Sequence, residues 1–195
     1  MPLAREIYDD VYHYEDILSW DERERWELID GKAYQMAAPS VKHQRVSRNL
    51  FRAIDAYFRD KTCEAFYAPF DVKLFAKKED TPDKINTVVQ PDIVIVCDSE
   101  KLDRTGCRGA PDWIIEILSD STGRRDRREK YGLYEKAGVR EYWIVDPDMK
   151  VILAHNLENG KYHAPKAYAM TIKARVSPSI FPECVIDMTD VFRNI

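Results

Sequence analysis

The sequence predicts an α/β (α+β) fold, a mixed central β-sheet flanked by helices, on three observations. The segments Pro91 to Cys97, Trp113 to Leu118 and Glu141 to Asp146 are short, apolar and rich in Ile and Val, the signature of buried strands. The segment 40 to 59 instead repeats its apolar residues at helical spacing. In chain order a helix, three strands, a fourth strand, a helix and a strand follow one another, which is the order of helices sandwiching a mixed sheet.

Residues 12 to 24 form a short, charged helix in this reading. Trp26 to Ile29 and Lys32 to Met36 then flank Asp30-Gly31, the dipeptide best suited to a two-residue hairpin turn. Pro39-Ser40 starts the long helix to about Arg59, with Val46, Leu50, Ala53, Ile54, Tyr57 and Phe58 on one side and Lys42, Arg45, Arg48 and Arg52 on the others. Strands follow near 64 to 68 and 70 to 75, and the polar stretch 76 to 86 reads as a loop before the strand that Asp92 opens. After the Glu116 strand, Ser121-Thr122-Gly123 offers caps for a helix to about Ala137, with Gly138 as its stop. The strand Glu141 to Asp146 ends at Pro147, hairpins around Asn159-Gly160 occupy 151 to 176, and a closing segment spans 180 to 195.

With 195 residues, 45% of them hydrophobic, and no Pro/Gly/Ser-rich linker, the chain is expected to fold as a single domain over 1 to 195. A net charge of -4 excludes a generally basic nucleic-acid coat, so contact with DNA or RNA would need a local patch, such as the one at 124 to 130. Cys63, Cys97, Cys107 and Cys184 form no CxxC pair and read as buried free thiols. The acidic N-terminal region does not resemble a secretory signal and no apolar run reaches bilayer-spanning length, so a cytoplasmic protein without membrane association is expected.

Glu116 sits in the middle of the apolar run Trp-Ile-Ile-Glu-Ile-Leu. A buried, unpaired carboxylate costs several kcal/mol, so a cation or strong donors should face it. One economical answer is a hard ion such as Mg²⁺ (or Mn²⁺) shared with Asp92 on a neighbouring strand, since such ions take one or two carboxylates. A divalent ion there would lower the pKa of a bound water and neutralise charge on a phosphate, which is the chemistry of phosphodiester hydrolysis. The bland alternative is that Glu116 pairs with an arginine from the next helix while Asp92 caps a turn after Pro91. The run Arg124-Arg-Asp-Arg-Arg-Glu-Lys130 begins that helix; Arg127 is a candidate phosphate ligand and Lys130 the candidate cation beside the metal, although a basic helical run is more often a solvated surface.

Four ordered fragments, Gln90-Pro-Asp-Ile, Ala110-Pro-Asp-Trp-Ile-Ile-Glu-Ile-Leu-Ser, Arg125-Asp-Arg-Arg-Glu-Lys-Tyr and Ala137-Gly-Val-Arg-Glu-Tyr-Trp-Ile-Val-Asp-Pro, resemble the Uma-type restriction endonuclease family, a branch of the PD-(D/E)xK nuclease superfamily. Glu27-Leu-Ile-Asp-Gly and Pro39-Ser40, with His43 shortly after, extend the similarity over most of the chain. The resemblance implies a restriction endonuclease-like core. It also implies Asp92 and Glu116 as metal ligands, and DNA as substrate. Where the superfamily places a lysine this chain has Leu118; the resemblance implies relocation of that cation to the neighbouring helix, with Lys130 the matching residue. Asp120 replaces a proline common in relatives.

Three auxiliary residues come from the same regions. His43, in the first turn of the long helix, is a candidate for polarising a phosphate or is a solvent-facing residue. Glu27 is a candidate for holding a metal-bound water or makes a strand-end salt bridge. Gln90 is a candidate for orienting water beside Asp92 or pairs with backbone. His155 and His163, lacking a third ligand, read as surface histidines, and Trp113, Trp143, Tyr142 and Phe181 as core aromatics. The leading expectation is a metal-dependent endonuclease acting as a homodimer that meets both DNA strands. A catalytically silent nuclease-fold module binding nucleic acid or protein, and a hydrolase of small phosphates, are the competing ones.

Overall fold

The computed structural model describes residues 6–7, 11–21, 23–119, 129–171 and 174–195. Its centre is a sheet in the order β12-β11-β10-β9-β6-β4, with β13 added against β11. Here β4 is Glu64–Tyr67, β6 Ile93–Val96, β9 Trp113–Ile117, β10 Glu141–Asp146, β11 Val151–Glu158, β12 Lys161–Tyr162 and β13 Lys166–Ala169. The β9–β10 pair is parallel and the other pairs in the sheet are antiparallel, so the sheet is mixed, as the element order predicts.

Strand pleating divides the core into two layers. Ile93, Ile95, Trp113, Ile115, Ile117, Trp143 and Val145 face the long helix α2 (Val41–Phe58), whose Val46, Leu50, Ile54 and Phe58 are buried against them. The short C-terminal strand and helix pack on that same layer through Ile186, Met188 and Val191. The alternate residues Val94, Val96, Ile114, Tyr142 and Ile144 face helix α3 (Tyr131–Ala137) and its Leu133 and Tyr134. Ser40 caps α2, its hydroxyl accepting from the His43 N–H, and Gly138 stops α3 in the left-handed conformation at φ 90°. The 121 to 123 caps and the basic run through Arg128, Arg127 included, lie outside the described residues; Glu129 and Lys130 precede α3 in π-helical form.

The N-terminal part is a helix, α1 (Tyr14–Ser19), shorter than the 12 to 24 span its charge pattern suggests, and a three-stranded sheet of β1 (Glu6–Ile7), β2 (Trp26–Ile29) and β3 (Lys32–Gln35) in the order β1-β3-β2. Asp30 and Gly31, at φ 49° and 80°, make the turn that Asp-Gly dictates. This unit docks through reciprocal Leu28–Val88 backbone bonds, which brings Glu27 to the α3 layer of the main sheet. Beside it, β5 (Asp71–Lys73), β7 (Leu102–Asp103) and β8 (Gly106–Arg108) form a small third sheet.

Two expectations are corrected. Cys63 and Cys97 are joined by a disulfide, while Cys107 and Cys184 are buried free thiols; extending the Glu64↔Val96 register by one step sets the two bonded cysteines opposite each other, a pairing of distant segments that their spacing alone does not announce. His155 is buried rather than surface-exposed, because it lies on β11 among the rings of Tyr131, Tyr142 and Tyr162. His163 is exposed and pairs with Glu158. Among the described residues no helix is long and apolar enough to cross a membrane.

Candidate active site

Adjacent strands β6 and β9 are antiparallel with Ile93 opposite Ile115, so one further step sets Asp92 opposite Glu116. Directly opposed residues in such a pair share a face with Cβ atoms about 4.5–5.5 Å apart. Pleating sends Glu116 to the α3 side, next to Ile114. Asp92 is pinned to the partner strand itself: its Oδ2 accepts from the Ile117 N–H at 2.7 Å and lies 3.1 Å from His43 Nε2.

Opposed like charges destabilise a sheet unless they are compensated, and the compensation comes from α3. Lys130 Nζ donates to Glu116 Oε1 and to Glu27 Oε1, each at 2.8 Å. The Tyr134 hydroxyl donates to the same Glu116 oxygen at 2.6 Å. Lys130 and Tyr134 are four apart on one helix and therefore share a face. Glu27 is further held by the Gln90 N–H at 2.9 Å. Glu27, Glu116 and Lys130 are 1%, 4% and 2% exposed, so each charge depends on the others for solvation. Burial, then the charges of Glu116 and Glu27, push the Tyr134 hydroxyl well above its ordinary pKa, which keeps it a neutral donor.

Asp92, Glu116, Lys130 and His43 line one cleft, a cavity of about 160 Å³ whose rim includes Arg25 and Tyr67. Pro39, His43 and Gln44, at the start of α2, form another wall, so the positive end of an 18-residue helix borders the carboxylates. The donor set suits a hard divalent ion: two carboxylates side by side at the wall of one cleft. Among the described residues no group of three His, Cys, Asp or Glu side chains forms a fuller cage. Mg²⁺ is content with one or two carboxylates and several waters.

Of the sequence-predicted residues, Asp92, Glu116, Lys130 and His43 therefore meet at the cleft, and Glu27 joins them through Lys130. Gln90 supports from behind: its side chain accepts from Arg25 Nε at 3.0 Å and donates to Asp71 at 2.8 Å. Arg127 lies outside the described residues. Sequence reasoning did not single out Tyr134 as a ligand of Glu116, or Arg25 as a cleft residue. The first carried a signal, the four-residue spacing from Lys130; the second carried none.

The mixed sheet thus sets an acid from each of two adjacent strands and a lysine from the start of the following helix around one cleft. Residues 13–189 match the Uma2 family, described as "Putative restriction endonuclease", and the chain belongs to that family. Two proteins of Synechocystis sp. (strain ATCC 27184 / PCC 6803 / Kazusa) are similar: "Uncharacterized protein slr1290", 26% identical over 152 residues covering 76% of each chain, and "Uncharacterized protein sll1609", 25% identical over 126 residues covering 63% of this chain and 67% of the relative. A crystal structure described as "a putative nuclease belonging to DUF820 from Anabaena variabilis ATCC 29413" superposes with a TM-score of 0.72 at 21% identity, over 93% of this chain and 97% of that one. It shares the fold.

Proposed function

We propose that this protein is a metal-dependent endonuclease hydrolysing DNA phosphodiester bonds in the cleft. The observation that carries the reading is the opposition of Asp92 and Glu116 on adjacent strands, with Lys130 hydrogen-bonded to Glu116 at the cleft wall. Asp92 and Glu116 are the residues that would hold Mg²⁺ or Mn²⁺, and such an ion supplies Lewis acidity toward a phosphate. The remaining work belongs to the chain. The Ile117 N–H fixes the Asp92 carboxylate and the Tyr134 hydroxyl fixes that of Glu116, so both acids are oriented before substrate arrives. Lys130 places positive charge where a scissile phosphate gains negative charge. Glu27, by holding Lys130, keeps the ammonium from collapsing onto Glu116 alone. The N-terminal end of α2 with His43 offers donors to a non-bridging phosphate oxygen.

Leu118, where a lysine is the superfamily's rule, favours a second reading, a catalytically silent module that retains the fold for binding. Plasmid relaxation with Mg²⁺ or Mn²⁺ separates the two. Wild-type protein is expected to nick or linearise the plasmid. Glu116→Ala, which leaves Lys130 paired with Glu27, is expected to be at least about 100-fold slower. Equal activity of the two proteins removes the catalytic assignment. If calorimetry finds no Mg²⁺ heat in either, while DNA still binds with salt-sensitive affinity, the silent module is favoured.

A further inference from the structure

The long helix carries a second pattern that the cleft does not use. α2 carries Lys42, Arg45, Arg48 and Arg52 against one acidic residue, Asp55, in a chain whose net charge is -4. Arg45, Arg48 and Arg52 are exposed while Val46, Leu50 and Ile54 are buried, so the arginines form a stripe on the side away from the sheet. The C-terminus completes the patch. The Asn49 amide donates to the Val191 carbonyl at 3.1 Å and the Arg45 guanidinium donates to the Asn194 carbonyl at 2.9 Å, which brings Arg193 alongside Arg48 and Arg52 around an open recess.

The guanidinium groups differ in commitment. Arg193 is ion-paired with Asp190 and Arg45 holds the C-terminal backbone. Arg48 reaches only the Asn49 side-chain oxygen at 3.4 Å, and Arg52 makes no hydrogen bond or ion pair among the described residues. Among the described residues neither of these two exposed forks is paired with a carboxylate, the Asp190 of the same recess being taken by Arg193, and guanidinium matches phosphate in two-point geometry.

Position supplies the rest. His43, Gln44 and Ser47 of the same helix line the cleft. Gln44, Arg48 and Arg52 are spaced four apart and share one face, and from Gln44 to Arg52 the helix rises about 12 Å, on the order of three to four nucleotide steps at about 3.4 Å each. We propose that the Arg48–Arg52 face of α2 is a backbone-binding track for duplex DNA leading away from the cleft, so that the substrate is a polymer read through phosphates beyond the scissile one. This rests on the nuclease reading for the kind of ligand, and it excludes a cleft that serves mononucleotides alone.

The experiment is fluorescence anisotropy of a labelled 25-base-pair duplex without divalent metal, between about 50 and 200 mM salt, spanning the range in which counterion release dominates. It compares wild type, Arg48→Ala/Arg52→Ala and Arg48→Lys/Arg52→Lys, with circular dichroism checking the fold. Each phosphate contact contributes about 0.9 to the slope of log K against log salt, so the alanine pair should flatten that slope by about 1.8 and the lysine pair should restore it. An alanine-pair slope that matches wild type together with an affinity within about twofold of it, or no duplex binding by wild type, overturns the track. If wild type cleaves plasmid while the alanine pair binds as wild type does, the track alone falls. If the alanine pair loses its slope in a protein that cuts nothing, the track stands and the nuclease reading falls.

Discussion

Among the described residues two lysines are buried, and their surroundings are mirror images in charge. Lys73, on β5, is fully enclosed and donates to both oxygens of Asp103 at 2.7 and 2.8 Å and to the Thr105 hydroxyl at 2.8 Å. Arg108 Nε reaches the same Asp103 at 2.7 Å, so two cations share one carboxylate. Lys130, 2% exposed, is one ammonium between two buried carboxylates, Glu27 and Glu116. The first cluster closes a turn. Its Asp103 also accepts from the Thr105 and Gly106 N–H groups, and Gly106, at φ 151°, sits where a Cβ would fall 2.0 Å from the Asp71 carbonyl oxygen. The second cluster opens onto a cleft that Asp92 also lines. A buried ion pair is therefore not in itself a sign of function; what separates these two is which sign of charge predominates and whether the pair borders a cleft shared with a further acid.

Removing each ammonium tests that distinction most strongly. Lys130→Met leaves Glu27 and Glu116 buried without the cation between them, and a loss of about 3–5 kcal/mol in urea unfolding is expected, together with loss of plasmid cleavage. Lys73→Met leaves Asp103 with Arg108 and Thr105, so a smaller loss of about 1–3 kcal/mol is expected, with cleavage intact. If Lys73→Met is the more damaging, the Lys73 cluster is the greater contributor to stability and the order of the two ion pairs is inverted.

The two clusters should also part in pH dependence. Burial acts to raise the Asp103 carboxyl, but hydrogen bonds from Lys73, Thr105 and Arg108 outweigh it and hold the group well below the ordinary carboxylate range. A folded-state pKa below the unfolded one stabilises the protein at pH above the unfolded value, about 3.9 for Asp, and the contribution is lost as pH falls from there toward the folded value. Asp103→Asn should thus be less stable than wild type at pH 7, by about 1–2 kcal/mol for a carboxylate that keeps some solvent contact, and the gap should narrow below about pH 4. Urea midpoints at pH 7, 5 and 3.5 read it directly; a gap that stays constant to pH 3.5 would assign the loss to packing instead of charge.

The Lys130 cluster was partly legible in the sequence and the Lys73 cluster was not. Glu116 announced itself because a carboxylate inside Trp-Ile-Ile-Glu-Ile-Leu must find partners, and Asp92 because it opens the other apolar run. Period-two alternation then needs only the β6–β9 pairing to bring them face to face. Lys73 lies in the unremarkable stretch Asp-Val-Lys-Leu, and its partner comes from a turn-rich segment whose path depends on three-dimensional packing. The same limit hid the burial of His155 and the Cys63–Cys97 pairing, both of which depend on which strands become neighbours. Short elements were located well where a turn or cap has its own chemistry, as at Asp30-Gly31, Ser40 and Gly138, and poorly at α1, where charge without an apolar stripe gives no boundary.

The smallest effect concerns the helix that delivers Lys130. Between Lys130 and Tyr134, α3 contains Gly132, which is exposed and has no atom within 4 Å of the place a Cβ would occupy. Glycine in a helix interior costs roughly 0.5–1 kcal/mol relative to alanine, because the unfolded chain has more freedom to lose. Gly132→Ala should therefore gain about 0.5–1 kcal/mol in urea unfolding, with plasmid cleavage unchanged if α3 only has to present Lys130 and Tyr134 in one fixed arrangement. Should stability rise while cleavage falls, the start of α3 must rearrange during turnover, and Lys130 would then differ from Lys73 in mobility as well as in charge.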